Sequence, residues 1–266
     1  MAIITNTIGK LEYLVAEGIG AKHCFTTRLG GVSRGSLGTL NLQHHRGDAP
    51  ENVEKNHEIL ACALGYDVKK TVLSHQVHSD VVRVVTEADC LGLDHHAYPE
   101  CDGLITNTPG LALVVFTADC TPILLYDPVT GAVGAVHAGW RGTAMDIAGK
   151  AVRAMEKAFN CESKNIRAAI GPNIGMCCFE TDGEVPEAMT QAFGTAVEKY
   201  IRPSGQKYYV NLKEMNRYAL SRAGVACIEV SDACTACQNQ RFWSHRITHG
   251  ERGSQGAIIV CKERKT

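Results

Sequence analysis

Three short segments carry the residue types from which a reactive site is built: Ser74-His-Gln-Val-His78, Thr117-Ala-Asp-Cys120 and Val136-His-Ala-Gly-Trp-Arg-Gly142. Each adjoins an apolar run, where a side chain can leave a sheet and meet others. His78, Cys120 and His137 form a nitrogen and sulfur donor set suited to Zn²⁺, and catalytic zinc commonly has three protein ligands with a fourth position open to water or substrate. Such an ion lowers the pKa of its water to roughly 7 and acts as a Lewis acid. The three residues lie 42 and 17 positions apart, which fits no short metal motif. On spacing alone the competing reading is therefore buried core histidine and cysteine. Arg141 offers a planar donor fork matched to phosphate or carboxylate, near a helix start whose free N–H groups favour an anion. Asp119, beside Cys120, is a candidate general base, or a carboxylate that orients a ligating histidine.

Other metal patterns fit less well. Cys234-Thr-Ala-Cys237 followed by His245 and His249 has a zinc-finger outline, but seven residues between the pairs are too few for a hairpin and helix. These two cysteines are expected to be loop residues. The P-C-x-x-C half of the zinc nucleobase deaminase signature is absent, as are H-E-x-x-H and both glycine-rich phosphate loops.

The elements that must position these residues are mostly strands. Runs rich in Val, Ile and Leu occur at 71–73, 81–85, 104–106, 111–117, 122–126 and 132–136, with later ones at 166–170, 225–230 and 257–261. Asp127-Pro-Val-Thr-Gly131 is a turn, so the runs on either side form a hairpin. Asp48 as N-cap, Pro50 in the first turn and Gly65 as stop predict a helix with Val53, His57, Leu60 and Leu64 on one face. Helical spacing of Ala148, Val152, Met155 and Phe159 predicts a helix over 143–159, capped by Thr143 and Asp146. Further helices are expected at 184–193 and 212–223. Strands joined by short turns, with fewer and irregularly placed helices, define an α+β class. The expected architecture is a single domain over 1–266, a mixed, largely antiparallel sheet core flanked by helices.

Composition narrows the function. A net charge of −1 gives no global field for nucleic acid or an anionic membrane, so recognition rests on a local site. The longest apolar stretch, 111–118, is too short to span a bilayer. The start of the chain lacks a signal-peptide pattern. The irregular spacing of twelve cysteines favours reduced thiols and a cytoplasmic location.

Beyond these residues, the chain resembles the YfiH-like family, long labelled polyphenol oxidase or laccase-domain proteins and read as purine nucleoside phosphorylases with adenosine deaminase activity. The resemblance rests on Thr26-Thr-Arg-Leu-Gly-Gly-Val-Ser33, Leu40-Asn-Leu42, Gly47-Asp48, Gln76-Val-His78, Ala118-Asp-Cys120, His137-Ala-Gly-Trp-Arg-Gly142, Ile170-Gly-Pro172, Cys177-Cys-Phe-Glu180 and Phe242-Trp-Ser-His-Arg246. It implies zinc on His78, Cys120 and His137 and an α/β sandwich. The implied reactions are phosphorolysis of adenosine, inosine, guanosine and methylthioadenosine, and hydrolytic deamination of adenosine. The partners would be nucleoside and phosphate, with the protein a monomer or homodimer. Arg28 and Arg141 then become anion or ribose contacts and Asn41 a substrate hydrogen-bonder, with Cys178, Glu180 and Arg246 at the pocket. The chain departs from the pattern at His57, where many relatives have arginine, at Ser79 in place of glycine, and at Gly253-Ser-Gln-Gly256 in place of Thr-Gly-Arg. These differences bear on substrate anchoring.

Two other enzymes stay open at this stage. Cys120 with His137 is also the outline of a cysteine hydrolase, and the family resemblance includes a proposed action on a peptidoglycan precursor. A copper polyphenol oxidase is the older label; the chain has His44-His45 and His95-His96 but no H-x-H pair, although a Cys-His₂ set can hold one copper.

Overall fold

Strands that are buried on both faces read as continuous apolar runs, and the runs near 105, 115, 124 and 135 become the central strands of two facing sheets in the computed structural model, which describes residues 2–262. Residues 1 and 263–266, the ends of the expected domain, lie outside the described residues. The first sheet has the order Ile3–Ile8, Leu11–Ala16, Lys22–Thr26, Gln255–Val260, Ala112–Thr117, Thr71–Leu73. The second runs Cys227–Val230, Arg167–Ile170, Thr121–Tyr126, Val133–Ala138, Gly103–Thr106, Val82–Val84. Pairing is antiparallel throughout both, except where an edge strand joins at Thr71–Leu73, Cys227–Val230 and Val82–Val84. The expected mixed, largely antiparallel core is thus present.

Period-two alternation sorts the second sheet into two cores. Leu104, Leu124, Val133 and Ala135 face the first sheet and join Phe25, Leu113, Val115 and Ile259 between the layers. Ile105, Ile123, Leu125 and Val136 face the other way and pack under the helices Ile147–Phe159, Glu184–Phe193 and Leu212–Arg222. The helix Pro50–Leu64 ends at Gly65, whose φ of 68° is left-handed. Its N-cap is Ala49, because Asp48 instead receives the Ala49 N–H and the Asn52 amide.

The helix expected over 143–159 is two helices, Trp140–Ala144 and Ile147–Phe159. Asp146, expected as a capping partner, sits between them at φ 59° and forms an ion pair with Arg153. The break lets Trp140–Ala144 start directly from the strand that carries His137. A small third sheet, Glu180–Thr181, Lys207–Val210 and Ile201–Ser204, did not stand out as strands in the sequence, since its strands are short and largely exposed.

Candidate metal centre

Sheet register brings the predicted residues together. Thr121 pairs with Ala138 and Gly103 with Val136, so one residue further on Cys120 lies opposite Gly139 and Asp102 opposite His137. Alternation puts Asp102, Cys120 and His137 on the face shared with Leu104, Leu124 and Ala135, at the end of the sheet. His78 arrives on the loop between Thr71–Leu73 and Val82–Val84. One donor atom from each of His78, Cys120 and His137 lies within 4.8 Å of the others. Cys120 Sγ is 3.8 Å from His78 Nε2, and a tetrahedral zinc with ordinary bond lengths holds nitrogen and sulfur roughly 3.6 Å apart. The donors therefore fit the ion that their chemistry suggests.

Asp102 organises the group. It is fully buried, and its carboxylate accepts five hydrogen bonds. Three come from the backbone N–H groups of Val77, His78 and Ser79, one from Ser79 Oγ, and one from His137 Nδ1 at 2.7 Å. The contact to Nδ1 leaves His137 Nε2 as the metal-facing nitrogen, the arrangement by which a carboxylate orients a ligating histidine. The N–H contacts hold the His78 loop, where His78 itself adopts a left-handed φ of 62°, a strained conformation that persists only when its surroundings fix it. Gln76 adds a second tether, its amide bonded to both the N–H and the C=O of Phe116 at 2.7 Å.

Charge follows from this geometry. Burial opposes ionisation of Asp102, but the His137 and Ser79 hydrogen bonds hold it at about 2. Burial likewise opposes charge on His137 and Cys120, yet each ionises the other: His137 rises to about 9 and Cys120 falls to about 6. In metal-free protein, alkylation of Cys120 should therefore climb as pH rises through about 6, followed peptide by peptide by mass spectrometry. A climb delayed to about 9 would mean that no imidazolium faces the thiol.

Gly139 closes the group from behind. A Cβ there would stand 2.7 Å from His78 Cδ2 and 3.4 Å from Cys120 Sγ, while its φ of −67° suits any residue. Gly139→Ala is expected to leave the thermal midpoint nearly unchanged while weakening metal binding by about 10-fold or more, measured by competition with a chromophoric chelator. Unchanged affinity would show that the His78 ring has slack.

The cavity at the three side chains measures about 80 Å³ and is also lined by Gln43, Arg46, Gln76, Phe116, Arg252 and Ser254. Sites that enclose a whole ligand usually measure about 300 Å³ or more, so this one has room for only one end of such a molecule. Depressions of about 810 and 570 Å³ elsewhere are larger, but neither brings histidine and cysteine together. Burial and the neighbouring Arg46 charge lower Arg252 only to about 10, so it remains cationic at neutral pH. Its Nε is buried without a hydrogen-bond partner among the described residues. Arg46 and Arg252 thus put two guanidiniums at one edge of the cavity, an arrangement whose chemistry suits an anion.

The other predicted residues serve different contacts. Asp119 accepts from Thr235 Oγ1, Ser244 Oγ and the Arg246 N–H, so the histidine-orienting carboxylate is Asp102. Arg141 is exposed and lies over the Trp140 ring at 4.2 Å, outside the cavity lining. Arg28 stacks on Trp243 at 3.9 Å and donates to Gly38 O and Asn239 O. Asn41 is buried behind the cavity lining, where it ties Gln43 and Ser254 together. Arg246 donates to the carbonyls of Cys178 and Glu180. Cys178 Sγ lies 3.4 Å from Cys237 Sγ. Asp102, Arg46 and Arg252 were not among the sequence candidates.

Comparison with known proteins places this architecture. The model of a family described as multi-copper polyphenol oxidoreductase laccase matches residues 22–262. The chain belongs to this family, the YfiH-like proteins. It is 37% identical over 253 residues to purine nucleoside phosphorylase YlmD of Geobacillus stearothermophilus, covering 93% of this chain and 92% of that protein. It is 36% identical to purine nucleoside phosphorylase YfiH of Escherichia coli, over 85% and 88% of the two chains. The crystal structure of YlmD from Geobacillus stearothermophilus superposes with a TM-score of 0.92 at 36% identity, covering 98% of this chain and all of that one. No helix among the described residues is long and apolar enough to cross a membrane.

Proposed function

We propose that this protein is a zinc-dependent purine nucleoside phosphorylase that also deaminates adenosine, acting at His78, Cys120 and His137. The observation that carries the reading is the convergence of these three donors on one cavity that also holds Arg46 and Arg252. The names of the relatives supply the substrate class. Among the described residues one Cys-His₂ group is present, and the sequence has no H-x-H pair of the kind that feeds a trinuclear copper cluster, which argues for zinc over copper.

In phosphorolysis a phosphate oxygen attacks ribose C1′, the C1′–N bond breaks, and the purine leaves with the bonding pair and takes up a proton. In deamination water replaces the amino group at C6 and ammonia leaves. A bound zinc ion would supply Lewis acidity and a water acidic enough to ionise near neutral pH. Arg252 and Arg46 hold the phosphate in its anionic form and orient it. Asp102 keeps the His137 ring in one tautomer and orientation, and Phe116 presents an apolar wall. Incubation with adenosine or inosine, with and without phosphate, tests the reading by chromatography of free base and ammonia. Neither product under any condition would sink it.

Arg252→Met is expected to raise the KM for phosphate by about 10–100-fold, the worth of a charge-assisted contact, with a smaller effect on deamination, which uses no phosphate. Equal losses in both reactions would place Arg252 outside the phosphate corner. The polarised Cys120–His137 pair also favours a second reading, a cysteine hydrolase acting on a peptidoglycan precursor, in which Cys120 is the nucleophile.

A further inference from the structure

Four more cysteines converge away from the cavity. Cys177 and Cys178 follow the turn at Gly175, and Cys234 and Cys237 bracket a C-x₂-C turn. All four sulfurs lie within 4.8 Å of one another, with Cys237 Sγ 3.5 Å from Cys177 Sγ and 3.4 Å from Cys178 Sγ. A disulfide would hold two sulfurs about 2 Å apart. Four thiolates around one zinc at about 2.3 Å stand roughly 3.8 Å apart, and the spacings of 3.4 and 3.5 Å lie far closer to that value than to a disulfide.

The surroundings are those of a metal knuckle. The Gly175 N–H donates to Cys234 Sγ at 3.1 Å, and a Cβ on Gly175 would meet Cys177 Sγ at 3.1 Å and Cys234 Cβ at 3.2 Å, so the turn can approach the sulfurs only without a side chain. The buried Lys213 ammonium, bonded to Ser231 O and Ala233 O, supplies positive charge beside a cluster that would carry excess negative charge when metallated. His245 and His249 do not belong to the group.

From this geometry we infer that Cys177, Cys178, Cys234 and Cys237 form a second, structural Zn²⁺ site, closed by four thiolates. Its four ligands leave no position for substrate, which distinguishes it from the three-ligand centre. The ion would pin two loops that serve that centre. Thr235, between the two later cysteines, donates to Asp119 Oδ1, and the Asp119 carbonyl receives the Ile174 N–H. Asp119 directly precedes Cys120. Arg246, which also bonds Asp119, is held by Cys178 O.

The test uses the full chain with His78→Ala, which disables the three-ligand centre, purified under reducing conditions, loaded with Zn²⁺ and dialysed against a mild chelator. The chelator strips weak surface binding at the exposed His45, Asp94 and His96 group. One zinc per chain is expected by elemental analysis, and Co²⁺ in its place should give the intense thiolate charge-transfer absorption of a tetrahedral sulfur site. Both signals should vanish on adding Cys234→Ser and Cys237→Ser, with the thermal midpoint falling by about 10 °C. X-ray absorption on the zinc-loaded His78→Ala protein requires no cysteine variant: an all-sulfur shell supports the site, and a nitrogen and oxygen shell overturns it. Four freely titrating thiols with no retained zinc, or a Cys177–Cys237 disulfide in the reduced preparation, would also overturn it.

Discussion

Asp102→Asn is expected to weaken metal binding at His78, Cys120 and His137 by about 100-fold, the upper end for loss of a carboxylate behind a ligating histidine, and to destabilise the metal-free fold by about 3 kcal/mol. Asparagine has the same shape but exchanges one acceptor oxygen for a donor. Oδ1 now accepts two bonds and Oδ2 three, so either orientation of the amide sets donor against donor at the His78 loop or at His137. Acid sensitivity should change with it. The folded carboxyl, at about 2, lies below the roughly 3.9 of an unfolded aspartate. Its contribution is complete above the unfolded value and fades as pH falls through the folded one. The variant should therefore lose less stability than the parent between pH 5 and 2. Chelator competition and urea midpoints across that range read both effects, and an unchanged metal affinity would remove Asp102 from its organising role.

The second large effect belongs to Cys120→Ser. Serine keeps the size of the side chain but is a poor zinc donor because its hydroxyl resists deprotonation. Metal content at this centre should fall toward zero, and turnover with inosine and phosphate by about 10³-fold, roughly 4 kcal/mol of barrier. The same variant separates the two proposed enzymes. Metal and activity lost together identify Cys120 as a ligand. Activity lost from a protein that keeps its full metal content identifies it as a nucleophile, and the zinc mechanism would then fail.

Much of this site could be read in advance because its donors sit in local patterns. His78, Cys120 and His137 are each flanked by an apolar run and a turn residue, so their strand-end placement was predictable. Asp102 was not singled out: it is one of 28 acidic residues, and its partners at 77–79 and 137 become neighbours only through sheet register. A usable signal was available in Cys101-Asp-Gly-Leu104, a lone carboxylate at the mouth of an apolar strand, together with the rule that a ligating histidine needs an acceptor behind it. Arg46 and Arg252 lie on loops 206 positions apart, and no periodicity links them. Arg28 and Arg141 stand inside distinctive motifs, yet in the fold both stack on tryptophan. The helix over 143–159 had the right apolar face but hid a break, because Asp146 carries no sequence mark of a left-handed backbone. Cys234 and Cys237 have His245 and His249 as their neighbours in sequence, whereas their spatial partners are Cys177 and Cys178.

The turn after Phe116 also bears on how the site could be reused. Ala112–Thr117 belongs to the first sheet and Thr121–Tyr126 to the second, so Ala118, Asp119 and Cys120 are the bridge between layers, and the Gln76 tether to Phe116 fastens the His78 loop to the near bank. Neither layer alone carries the complete constellation. It cannot be excised as a minimal peptide or grafted as a hairpin onto another scaffold, and any transplant must bring both layers in their mutual alignment.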